Sequence, residues 1–220
     1  MAVVHLIFNI PVHVLDETAE AVMREVTENI DAKPDKLNRT VDIVYARAME
    51  DKNWVFVAVR LLNQLCLLIP ATLTDPNVPP NGNNTTRSGA RLVQHYIYER
   101  VLSDFEADMQ KAEWSQPRMW LLAELADATS SPLFMSQKTN IWILDMMANA
   151  ERLFDNNNVD IFIEYVDFVA LGLDENPSTE AELTRVLEKV RERTEKADED
   201  LMSKIKVTGL ISLRKNHWVM

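Results

Sequence analysis

From Val14 to Ile30 the apolar residues Leu15, Ala19, Val22, Val26 and Ile30 fall three or four positions apart, with Asp16, Glu17, Glu20, Glu25 and Glu28 between them. That spacing predicts an amphipathic helix with an acidic outer face. Pro34 suits the first turn of a second helix, whose core stripe is Leu37, Val41, Val44 and Ala48 and whose end lies near Glu50. Asn53 is placed to cap a third, Trp54 to Ile69. Apolar residues lie on most sides of it (Val55, Phe56, Val57, Val59, Leu61, Leu62, Leu65, Leu67, Leu68), which predicts a central position. Pro70 to Arg87 carries Pro76, Pro79, Pro80 and the run Asn81-Gly82-Asn83-Asn84, all turn formers. A loop of this length is expected to be either disordered or a contact segment.

Ser88 to Ala112 repeats Leu92, Tyr96, Val101, Phe105 and Met109 near helical spacing, and Pro117 opens a short helix through Leu125. Further helices are predicted from about Lys138 to Arg152 and, after the turn Asp155-Asn156-Asn157-Asn158, from Val159 to Gly172. Thr179-Glu180-Ala181-Glu182 reads as a capping box ahead of Leu183, Val186, Leu187 and Val190. The last segment spans about Leu201 to Leu213, where Gly209 weakens the helix by up to ~1 kcal/mol relative to Ala. Roughly nine or ten helices result, and they fall naturally into pairs at the ~40–47-residue period of HEAT repeats. The fold class is therefore all-α: an α-solenoid of about five HEAT-like antiparallel helix pairs, in which each pair buries its apolar face only by stacking on the next. The chain is read as one domain, residues 1–220, with the long loop at 70–87.

Composition agrees with helices. Gly accounts for only 4 of 220 residues, too few for a fold rich in tight turns. The net charge of −11 disfavours general binding to a polyanion and suits a basic protein partner, or simply solubility. Cys66 is the single cysteine, set in an apolar stretch, so it is expected to be a buried thiol in a reducing compartment. The stretch Met1 to Val14 lacks a basic leader, and no run approaches ~18 apolar residues, so neither export nor a membrane span is expected.

Candidate chemistry is sparse. His5, His13, His95 and His217 are scattered without metal-ligand spacing, and no phosphate-binding Gly loop occurs. Ser88, Ser103 or Cys66 lack a nucleophile-elbow context. Glu188 with Glu192 reads as a solvated face, Met146 and Met147 as core filling, and Lys204, Lys206, Arg214 and Lys215 as a locally basic but solvated tail. No cofactor and no metal are expected.

Leu210-Ile211-Ser212-Leu213-Arg214-Lys215-Asn216-His217-Trp218-Val219 resembles the closing Val-Leu-Asp-Leu-Arg-x-x-x-Trp-Val of the middle domain of translation initiation factor 4G. Leu6-Ile7-Phe8-Asn9-Ile10-Pro11-Val12-His13-Val14-Leu15 is similar to that family's opening Ile-Leu-Asn-Lys-Leu-Thr-Pro-x-x-Phe, with Asn9 for its Lys and Leu15 for its Phe. Between them, Val41 to Ala48, Arg100 to Glu106 and Leu121 to Leu125 resemble Val-Asp-Leu-Ile-Phe-Glu-Lys-Ala, Arg-Cys-Gln-x-Glu-Phe-Glu and Phe-Ile-Gly-Glu-Leu, in order along nearly the whole chain. The departures describe a divergent member.

The resemblance implies a HEAT crescent without catalysis of its own that binds the DEAD-box RNA helicase initiation factor 4A and orients its two lobes in the cytoplasm. Partner-binding residues implied by it are Ile7, Ile10 and Leu15, which serve equally well as an N-terminal cap, and Lys204 and Ile205, which stand where the family has Arg and Phe. Trp218 is expected to pack back on the last repeat. Direct RNA contact stays open, while contacts to other initiation factors would lie in regions outside the chain. Two rivals remain at this point: a related middle-domain scaffold in mRNA decay, splicing or deadenylation, distinguished by its partner, and a helical enzyme with a carboxylate site.

Overall fold

The computed structural model describes residues 33–80, 82, 84–127, 135–196 and 201–218. The predicted helix Val14–Ile30 lies outside them. The described residues form eight α-helices: α1 (Pro34–Glu50), α2 (Val55–Leu68), α3 (Ala90–Asp108), α4 (Gln116–Asp127), α5 (Gln137–Asn149), α6 (Asn158–Asp174), α7 (Pro177–Lys196) and α8 (Leu201–Lys215). Among these residues there is no strand; a single antiparallel bridge joins Thr74 to Ser88. The fold is all-α, as the periodicity predicts. No helix among the described residues is long and apolar enough to cross a membrane.

The chain divides into two compact units. Of the described residues, the first holds those from Lys33 to Asp104 and from Trp120 to Asp127; the second holds Phe105–Met119 and those from Met135 to Trp218.

In the first unit, Pro34 opens α1 as expected, and Leu37, Val41, Val44, Tyr45 and Ala48 are buried along one face. Asp42 and Tyr45 reach α3: Arg100 Nη2 lies 2.5 Å from Asp42 Oδ1, and the Tyr45 hydroxyl donates to Asp104 Oδ2 at 2.7 Å. These two ties, one turn apart in the same sense on both helices, make α1 and α3 parallel neighbours. The start of α2 differs from expectation. Asp51, not Asn53, is the cap: its carboxylate accepts the Asn53 N–H at 2.9 Å and nucleates a short 3-10 turn, Lys52–Trp54, before the helix proper. The central position expected of α2 holds for most of its apolar residues. Val55, Val57, Ala58, Val59, Leu61, Leu62, Leu65 and Cys66 are buried, but Phe56, Leu67 and Leu68 are exposed. A continuous apolar run has no polar face from which to read which side is covered.

The 70–87 loop is anchored at its start. Leu73 is buried, and Asp75 accepts the Tyr96 hydroxyl at 2.6 Å and the Asn77 N–H at 2.8 Å. At its far end Gly89 donates its N–H to the Leu73 carbonyl at 3.0 Å and adopts φ +53°. A β-carbon there would sit 2.9 Å from Ala71 Cα, so the loop's return requires glycine for both conformation and space.

The second unit is a stack of two layers. α5 and α7 run parallel: Lys189 Nζ lies 3.4 Å from Asp145 Oδ1, and one turn on, Arg193 forks onto the Ala148 and Ala150 carbonyls at the end of α5. α6 and α8 run parallel in the same way, joined by Lys206–Asp160 at 2.6 Å and Arg214–Asp174 at 2.6 Å. Sequence neighbours α5–α6, α6–α7 and α7–α8 pack together across the layers. Contact with the next helix and the next but one is how stacked pairs share a core. Phe162 and Tyr165 of α6 and Leu183, Val186 and Val190 of α7 fill that core. Full burial of a side chain such as Phe162 contributes about 1.5–3 kcal/mol.

The turn before α6 does more than reverse the chain. Asn158 is fully buried; its amide donates to the Ala112 and Arg152 carbonyls at 3.0 and 2.7 Å, and its oxygen accepts the Trp114 N–H at 3.0 Å. α7 starts two residues before the expected capping box: Asn176 is the cap, accepting the Ser178 N–H at 3.1 Å, while Thr179 is buried inside the first turn and donates to the Leu173 carbonyl at 2.7 Å. Met147 is core and Met146 half-buried, so both serve as packing residues.

Candidate partner-binding surface

α8 is held by one face. Val207 and Leu210 are buried toward α6 and α7, and the opposite face begins with Leu201, Met202 and Ile205, which are 72%, 56% and 56% exposed. Leu201 and Ile205, one turn apart, point the same way, so the helix opens with an uncovered apolar patch. Lys204 is half-buried beside it. The structure thus places Lys204 and Ile205 together at the start of α8, and adds Leu201 and Met202, which periodicity marks only as helix. Their signal is the pair of large apolar residues at a helix start on positions out of register with Val207 and Leu210. Ile7, Ile10 and Leu15 lie outside the described residues.

The layer containing α8 differs from the other layer of the unit. On α6, Phe168 and Leu171 are exposed as well. The outward positions of α7 are instead Glu180, Arg185, Arg191, Glu192 and Glu195, laced by Arg191–Glu188 at 2.6 Å and Lys196–Glu192 at 4.0 Å. This is the solvated face expected of Glu188 and Glu192. Exposed apolar side chains therefore lie on α6 and α8, and on α5 at Trp142, whereas the outward positions of α7 are charged; the α6 and α8 positions suit binding of protein.

The basic tail is largely committed within the fold. Lys206 pairs with Asp160, and Arg214 grips Asp174 with Nε at 3.1 and 3.0 Å from its two oxygens and Nη2 at 2.6 Å from Oδ1. Trp218 Nε1 donates to the same carboxylate at 2.7 Å, so the indole packs back, half-buried. The Leu-Arg-x-x-x-Trp element that carries the clearest resemblance is thus a latch closed on Asp174. After α8 the N–H of Trp218 bonds the Leu213 carbonyl at 2.9 Å and that of His217 bonds the Arg214 carbonyl at 2.9 Å, a Schellman closure with His217 and Trp218 both at positive φ.

Gly209 lies on the outward face of α8, and a β-carbon added there would meet nothing within 4 Å. Gly209→Ala is expected to stabilise the protein by about 0.5–1 kcal/mol, because it removes conformational freedom from the unfolded chain and meets no neighbour. Urea denaturation of the two proteins checks it; a loss of stability would mean that this face is covered.

The polar clefts are arranged for structure. In the first unit a cleft of about 340 Å³ holds Asp75, His95, Tyr96, Glu99, Ser103 and Asp104. Its acids are engaged: Asp75 by Tyr96 and Asn77, Asp104 by Tyr45. Arg87 Nη1 donates to His95 Nδ1 at 2.9 Å, and burial, then the Arg87 charge, hold His95 below the usual imidazole value. The Tyr96 hydroxyl bond holds Asp75 below the usual carboxylate range. Burial pushes the Cys66 thiol up to about 12, which makes it a poor nucleophile at neutral pH. Among the described residues no three His, Cys, Asp or Glu side chains converge as a metal-holding group. In the second unit a cleft of about 550 Å³ is lined by Asp108, Lys111, Trp114, Gln116 and Arg118, where Asp108 is itself bound by Arg118 and by Lys111 at 2.7 Å. The chain matches no protein-family model and no curated protein, so the role of this surface follows from its geometry and from the motifs in the sequence.

Proposed function

We propose that this protein is a scaffold of the initiation-factor-4G middle-domain type, binding the DEAD-box helicase initiation factor 4A in the cytoplasm and leaving all ATP chemistry to the helicase. The observation that carries the reading is the exposed apolar start of α8, Leu201 and Ile205 with Lys204 beside them, at the position where the resemblance places helicase contacts. The exposed Phe168 and Leu171 of α6 and the all-α fold support it. A scaffold that touches both lobes of a two-lobed motor favours their closed arrangement by differential binding, since part of the entropy of closure is lost once on binding the scaffold and not again in each cycle. Ile7, Ile10 and Leu15 would supply the second contact.

Ile205→Asp tests the surface directly. The side chain is more than half exposed, so the fold is retained, and a charge in an apolar contact is expected to weaken binding to initiation factor 4A by at least about tenfold. Isothermal titration with the purified helicase, with ATPase stimulation as second readout, gives the answer. Absence of binding by the unmodified protein sinks the initiation reading, and capture of a different DEAD-box protein would move the scaffold to mRNA decay, splicing or deadenylation.

A further inference from the structure

Nδ1 of His95, in the second turn of α3, stands between two groups that make opposite demands on it. Arg87 Nη1 lies 2.9 Å away and Glu99 Oε1 lies 3.7 Å away. A guanidinium can only donate, so the shorter contact exists only while Nδ1 offers its lone pair, with the ring neutral and its proton on Nε2. A carboxylate can only accept, so Glu99 gains a hydrogen bond from Nδ1 only once that nitrogen carries a proton. The two bonds therefore exclude each other, and one proton decides between them.

The position of Arg87 gives that choice a consequence. Arg87 ends the 70–87 loop, and its bond to His95 ties that end across to α3. The neighbouring closure, Thr74 to Ser88 and the Gly89 N–H on the Leu73 carbonyl, is backbone and needs no charge. Charged groups reach the ring from two elements: Arg87 and Asp75 from the loop, and Glu99 from α3 itself. Asp75 is occupied by Tyr96 and Asn77. Further along the cleft, Arg100 and Asp104 of α3 are tied to Asp42 and Tyr45 of α1, which adds only the uncharged Asn38 to the cleft wall. Glu99 is 72% exposed, so water weakens its pull on the ring. We propose that Arg87 and His95 form a proton-operated latch on the 70–87 loop: closed while the imidazole is neutral, and opened when Nδ1 takes a proton, which sets two cations against each other and turns the ring N–H toward Glu99. Opening frees Arg87 and the residues just before it, while the backbone closure at Gly89 stays. Burial, then the Arg87 charge, favours the neutral ring in the fold, so the latch is closed above the ordinary imidazole value of about 6.5 and is lost as pH falls through a lower one. The latch is independent of the helicase reading, which concerns α8.

NMR on the full chain tests this by following the His95 ring and the backbone amides of Thr86, Arg87 and Ser88 from about pH 8 to about pH 5. The ring is expected to titrate with a midpoint below about 6.5, and the three amides to shift with that same midpoint. His95→Asn, whose amide oxygen can accept from Arg87 and takes up no proton in this range, is expected to abolish the pH-dependent shift of those amides. Arg87→Gln is expected to raise the His95 midpoint, because a positive neighbour is gone. A ring midpoint at or above the ordinary imidazole value, loop amides indifferent to the ring, or the same loop titration in His95→Asn overturns the proposal. So does an unchanged His95 midpoint in Arg87→Gln, a reading that stands by itself should His95→Asn fail to fold.

Discussion

Asp108→Ala is expected to destabilise the protein by about 3–5 kcal/mol. Asp108 is the last residue of α3, and its side chain is 3% exposed. It binds the Arg118 guanidinium, itself only 10% exposed, accepts from Lys111 Nζ at 2.7 Å, and takes the Ser115 N–H at 3.4 Å. One carboxylate therefore organises the whole turn between α3 and α4. Removing it takes a counter-charge from Arg118 in a dry setting, and breaking a buried ion pair from one side is unfavourable by several kcal/mol. Taking ~2–4 °C per kcal/mol for a chain of this size, thermal unfolding should move down by roughly 10 °C. Asp108→Asn retains shape and one acceptor and should fall between. A shift below about 1 kcal/mol for the Ala variant would mean that water reaches the pair.

Asp174→Ala is expected to cost about 2 kcal/mol and to release the end of the chain. Its carboxylate holds Arg214 through two nitrogens and Trp218 through the indole N–H, and charge-assisted bonds of this kind are roughly twice as strong as neutral ones. The pair is partly exposed, which limits the effect compared with Asp108. Trp218→Phe removes a single bond and should lose about 1 kcal/mol. The local signature is sharper than the global one. In the Asp174→Ala protein the Trp218 indole proton should shift toward its solvent-exposed position and exchange faster, because His217 and Trp218 hold left-handed conformations that cost non-glycine residues about 1–2 kcal/mol each without tertiary support. An unchanged indole signal would show that the closure stands without the carboxylate.

How far such features can be read from the sequence depends on the distance over which each is decided. Helices are legible because Leu37, Val41, Val44 and Ala48 repeat locally and Pro34 fixes a start. Their caps are not. Asp51 and Asn176 act through backbone geometry that places one acceptor over one N–H, and a rival acceptor lies two or three residues away in each case. α2 escapes for a different reason: Phe56 and Leu67 are chemically the same as their buried neighbours, and only the surrounding elements decide which side is covered. Asp108 and Arg118 look like two surface charges until the turn between them folds. Of the candidate site, the position of Lys204 and Ile205 comes from resemblance, whereas the exposure of Leu201 and Met202 needs coordinates. That Arg214 and Trp218 share Asp174, far earlier in the chain, is visible only in three dimensions.

Two nitrogens of Arg193 occupy carbonyls at the C-terminal end of α5, so the last turn of α5 cannot fray while α7 is in place. Arg214 ties α8 to the end of α6 through a side chain instead, the Asp174 carboxylate. Each clasp locks an earlier helix by a later one. Amide protons at the ends of α5 and α6 should therefore exchange no faster than the helix whose arginine guards them, with unzipping proceeding from the C-terminal side inward.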